Sequence, residues 1–107
     1  MAEMTASVCF GRTLRFSAVI AEEAAIWDLS VETMGVPDVQ SGMVVSLPLV
    51  DQCLNEAASE LQRGHIAPEA IANSLAAKIR ESRTESIRVK VTLDSGHRRQ
   101  VLLLSNF

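Results

Sequence analysis

Few side chains in this sequence have the type and spacing that chemistry requires. The candidates are two cysteines, Cys9 and Cys53, two histidines, His65 and His97, and two close carboxylate pairs, Glu22-Glu23 and Glu56/Glu60. Nucleophilic catalysis needs a Cys or Ser beside a His that a carboxylate orients. A structural zinc site needs spacings such as CxxC or HxxxH. Neither occurs, and Cys9 and Cys53 are expected to be buried and inert. His65 follows Gly64 in a break between two helical stretches. It is expected to be a solvated loop histidine; a general base or pH sensor is the functional alternative. His97 stands beside Gly96 and Arg98-Arg99 and is expected at an exposed hairpin tip, with a phosphate contact as the alternative. Acid–base work needs environments that push two pKa values apart. Glu22-Glu23 at a hairpin tip lack such environments, and Glu56/Glu60, four apart on a helix, suit an exposed face better than a metal pair. No Gly-rich loop opens a helix to cradle phosphate. The expectation is a non-enzymatic protein with no catalytic residues, no metal and no cofactor.

Charge is more informative. Residues 1–77 carry three basic side chains (Arg12, Arg15, Arg63) against ten acidic ones, whereas residues 78–99 carry seven against three, within a net charge of −3. Such a split suits a protein that meets something charged. Two candidate binding sets follow. The acidic set is Glu22, Glu23, Asp28 and Glu32. The basic set is Arg88, Lys90, His97, Arg98 and Arg99. The first expectation is a protein-binding module that neutralises or inhibits a partner, of the antitoxin, immunity-protein or phage-encoded inhibitor type. That partner is expected to be another protein. Pairing of the two charged halves would give a homodimer. The alternative is a nucleic-acid-binding regulator that contacts phosphate through the basic terminal hairpin. Aromatic content of 4%, with no Tyr, argues against base stacking.

The chain of 107 residues is expected to form one domain, residues 1–107, with a single modest core. Met1-Ala2-Glu3 has no basic n-region or apolar h-region, so no signal peptide is expected. No apolar run approaches about 18 residues, so no membrane span is expected. Two reduced thiols in the cytoplasm is the preferred reading, and a Cys9–Cys53 disulfide the lesser one.

These candidates need elements to hold them. Residues 5–10 suggest a strand closed by Gly11. Leu14, Phe16, Ala18 and Ile20 alternate with Arg15, Ser17 and Val19, the period of a half-buried strand over 13–21. Glu22-Glu23 would be the hairpin tip, and Trp27, Leu29 and Val31 alternate in a second strand over 25–32. Met43-Val44-Val45 is a further short candidate. Ser46 is placed as an N-cap, with Pro48 in the first turn. Val50, Cys53, Leu54, Ala57, Ala58 and Leu61 form a helical stripe that stops at Gly64. Pro68 restarts a helix with Ile71, Ala72, Leu75, Ala76 and Ile79 inward. Ile87, Val89, Val91 and Leu93 alternate before an Asp94-Ser95-Gly96 turn. Val101–Leu104 is so apolar that it predicts two covered faces or an edge used for association. The expected fold is α+β: an antiparallel sheet, built from an N-terminal and a C-terminal hairpin, covered by two helices, in the order β-β-β-α-α-β-β.

Three segments within residues 14–63 resemble the small HicB-like domain, an antitoxin module of bacterial toxin–antitoxin pairs. Val19-Ile20-Ala21-Glu22-Glu23-Ala24-Ala25-Ile26-Trp27 is similar to that family's first strand pair. Val36-Pro37-Asp38-Val39 is similar to its proline-containing segment, and Ser46-Leu47 to its helix start. The resemblance implies a non-enzymatic protein that neutralises a partner, often an RNA-cleaving toxin with a basic surface, with Glu22, Glu23, Asp28 and Glu32 toward it.

Overall fold

A computed structural model describes residues 8–36, 45–82, 87–97 and 99–104, with side chains placed for all of these but 8 and 101–104. Six elements follow one another: β1 (Val8–Ile20), β2 (Glu23–Gly35), α1 (Leu47–Arg63), α2 (Pro68–Glu81), β3 (Arg88–Asp94) and β4 (Arg99–Leu104). The class is α+β as expected, but the order is β-β-α-α-β-β. The four strands form one antiparallel sheet in the order β1-β2-β3-β4, so β1 and β4 are its edges.

The expected break at Gly11 is absent: β1 runs through it as a single strand of 13 residues. Its inward series is Phe10, Arg12, Leu14, Phe16, Ala18 and Ile20, interrupted only by Arg12. That charge is accommodated because Asp51 of α1 meets it, Nε–Oδ1 at 3.0 Å and Nη2–Oδ2 at 2.8 Å. The hairpin tip is Ala21-Glu22, one residue earlier than expected, since Glu23 already pairs with Ile20. Ala21 and Glu22 have φ of 52° and 66°. Two positive φ values in a two-residue loop match the twist of the flanking strands. Residues 5–7, Pro37-Asp38-Val39, Gly42, Met43, Val44 and Arg98 lie outside the described residues.

Both helices cover one face of the sheet, α1 over β1 and α2 over β3 and β4. The apolar stripes read from the sequence are the buried ones: Val50, Cys53, Leu54, Ala57, Ala58 and Leu61 on α1, and Ile71, Ala72, Leu75, Ala76 and Ile79 on α2. They meet Trp27, Leu29, Val31, Ile87, Val89, Val91 and Leu93 from the sheet. Each fully buried aliphatic side chain contributes about 1.5–3 kcal/mol. Trp27, the largest core side chain, is 1% exposed, and its Nε1–H donates to Ala18 O at 3.2 Å. Among the described residues no buried side-chain nitrogen or oxygen lacks a partner. Gly64 ends α1 in the left-handed conformation, φ 72°, as its position predicts. Ser46 occupies the N-cap position of α1, but its side chain makes no capping bond. No helix among the described residues is long and apolar enough to cross a membrane.

Candidate functional site

Period-two alternation divides each strand between the helix-covered face and an uncovered one. The register then assembles the uncovered face in transverse rows. Arg15, Asp28, Asp94 and Arg99 sit opposite one another and cross all four strands. Beside them lie Thr13, Ser30 and Thr92. Next come Gly11, Glu32 and Lys90, and then Cys9, Met34 and Arg88. Toward the hairpin tip the face becomes apolar, with Val19 62% and Ile26 61% exposed. Thr92 is the buried exception, at 5%.

Local contacts order this surface. Arg15 grips Asp28 with two bonds, Nε–Oδ1 at 2.9 Å and Nη2–Oδ2 at 3.2 Å. The Thr13 and Ser30 hydroxyls are 2.8 Å apart and hydrogen-bonded. Asp94 Oδ1 accepts the Gly96 N–H at 2.8 Å, which shapes the turn into β4. The hydrogen bonds from Arg15, more than its charge, hold the Asp28 carboxyl below its ordinary range. Phe10, Phe16 and Trp27 all belong to the covered face, so no described strand aromatic lies on the open one.

The acidic and basic sets of the sequence are therefore interleaved on one face. Asp28 and Glu32 share the open face with Arg88, Lys90 and Arg99, and Lys90 stands directly across from Glu32. The reason is the β2–β3 pairing, which sets the acidic strand against the basic one. Glu22 is at the turn and exposed. Glu23 has the opposite parity and accepts a hydrogen bond from Ser95 Oγ at 3.2 Å. His97 is exposed in the β3–β4 connection, which joins Asp94 to Arg99 at the end of the first row. Sequence reasoning missed Arg15, Asp94, Thr13 and Ser30 as members of this surface; extending the alternation of each strand through its pairing with the next would have found them.

The other candidates are separated from one another. Cys9 is exposed rather than buried, because its odd position in β1 faces away from the helices. Cys53 is buried, both cysteines are free thiols, and burial raises the Cys53 pKa above its usual 9.0. Cys53 lines a groove of about 540 Å³ between α1 and α2, where Glu56 pairs with Lys78 at 3.6 Å and Glu60 with Arg63 at 2.8 Å. Each glutamate thus faces a cation instead of its neighbour. His65 is exposed beside a smaller groove of about 230 Å³ between the α1–α2 connection and Val19–Ala21. No group of three His, Cys, Asp or Glu side chains suited to a metal occurs among the described residues. Comparison with family models, curated proteins and solved structures finds no match to this chain.

Proposed function

We propose that this chain is a non-enzymatic protein-binding module that neutralises or inhibits its partner, and that the open sheet face is its recognition surface. The observation that carries this reading is the row Arg15–Asp28–Asp94–Arg99, which crosses the sheet with charges of both signs on the face that neither α1 nor α2 covers. Rigid strands hold such groups in fixed positions, so that complementary charges on a partner select register and exclude wrong partners. The hydroxyl row and the apolar tip supply hydrogen bonds and contact area beside it. The HicB-like resemblance of residues 14–63 supports a neutralising role. The interleaving of Asp28 and Glu32 with Arg88 and Lys90 favours a partner of mixed surface charge over a purely basic one.

Pull-down from the native host, followed by reconstitution with the recovered protein, tests this. Arg88→Glu with Lys90→Glu should weaken the complex at least tenfold by calorimetry. Asn73→Lys, on the exposed side of α2, should leave it unchanged. Equal affinities for all three proteins, or a monodisperse chain that captures nothing, would exclude the reading. Nucleic-acid binding is the second reading, favoured by one observation: Arg88, Lys90 and Arg99 share one face of β3 and β4. Phosphate binding of that kind weakens steeply with salt, so a mobility shift at low salt that the double variant abolishes would select it.

A further inference from the structure

The outer edge of β1, to which no other described strand is bonded, points to a partner independently of what the open face binds. The two-residue loop makes Ile20 and Glu23 a hydrogen-bonded pair, so every even residue of β1 directs its N–H and C=O to β2. The odd residues, from Cys9 to Val19, direct theirs outward. Gln62 Nε2 reaches one of these groups, the Ser17 carbonyl, at 2.9 Å. Natural edges are blunted by shortness, proline, bulges or free charge. β1 has 13 residues, no proline and an unbroken register with β2. Its two arginines are already neutralised, Arg12 by Asp51 and Arg15 by Asp28. Phe10, Leu14 and Phe16 stay only partly buried along this strand. A groove of about 330 Å³ runs beside it, lined by Arg12, Thr13, Leu14, Asp51, Leu54 and Asn55.

We propose that β1 pairs antiparallel with β1 of a second copy, about a two-fold axis through Thr13, to make one continuous eight-stranded sheet. Outward-directed residues must oppose one another, so the axis passes through a residue rather than between two. An axis at Arg12 or Arg15 would set like charges face to face, which destabilises a strand pair. The axis at Thr13 sets Arg15 against Gly11 of the second copy and Phe10 against Phe16 of the second copy. Cross-strand aromatic pairs of this kind are favourable. It also sets Leu14 of the second copy against Arg12, at the mouth of the groove, and the fit is reciprocal. Five opposed pairs offer about ten interchain hydrogen bonds; two of these meet a Ser17 carbonyl that Gln62 already engages, which leaves about eight, within the range of an ordinary stable interface.

Sedimentation equilibrium of the whole chain should give twice the 11.6 kDa protomer mass. Thr13→Pro removes an outward N–H and spares the bonds to β2, so it should yield a folded monomer by circular dichroism. Thr13→Lys, which sets two ammonium groups across the axis, should do the same and serves if the proline variant does not fold. Thr13→Cys in a Cys9→Ser background should form an interchain disulfide under mild oxidation. A wild-type monomer at about 100 µM, where a dimer with a Kd of about 1 µM would be mostly associated, or a dimer that both Thr13 variants leave intact, overturns the proposal.

Discussion

Cys9 and Cys53 differ by environment alone. The exposed Cys9 should react with an aromatic disulfide reagent as a free thiol does, whereas Cys53, 3% exposed and with its pKa raised by burial, should react only on unfolding. Two equally fast thiols would contradict the packing of α1. Ala21 and Glu22 occupy left-handed backbone without glycine, at a cost for L-residues. Replacing them with Asn-Gly should raise the free energy of unfolding by about 1 kcal/mol, read from urea midpoints. Asp28 and Asp51 are held below their ordinary value of 3.8 chiefly by hydrogen bonds from Arg15 and Arg12. A carboxyl depressed in the folded state contributes stability above its unfolded pKa and loses it as pH falls through the folded one. The loss should therefore begin near pH 3.8 and grow on further acidification. It should be small, because both pairs are exposed to solvent. Asp28→Asn with Asp51→Asn should flatten that part of the stability–pH curve.

Among the elements, the helices were the most legible in the sequence. Their apolar positions recur at helical spacing, and Pro48, Gly64 and Pro68 punctuate them where helix ends tolerate such residues. Their caps were less so. Ser46 makes no side-chain bond and α2 begins at a bare Ala67. Ser46→Ala should thus change stability by less than about 0.5 kcal/mol, while Ala67→Asp should add about 1 kcal/mol, both by chemical denaturation. The strands were legible by alternation except at Gly11, taken as a strand end, where the next inward position is Arg12 and its neutralising partner is 39 residues away. Local pattern cannot announce a long-range ion pair, so one strand looked like two. The candidate surface was half legible for the same reason. Alternation places Arg88 with Lys90 and Asp28 with Glu32. Only the register between β2 and β3 shows that all four share a face.

For the whole molecule, that register is the decisive join. The β1–β2 and β3–β4 pairings each connect neighbours in sequence, and the helices fill the interval between them. Residues 28–34 with 88–94 form the one ladder between the two hairpins. Amides directed into it, such as those of Ser30 and Glu32, should resist hydrogen exchange longest. Those of residues 17–26, beyond the reach of β3, should exchange first. This arrangement also orders the events of folding. Each hairpin can close early over a short loop, but a lone two-stranded ribbon is barely stable in water. The chain becomes native only when the two ribbons find one another across the helical insert, which makes that late, distant encounter the step that sets the rate. Val31→Ala and Val91→Ala, opposed across the join, should therefore slow refolding more than changes near the Ala21-Glu22 turn do.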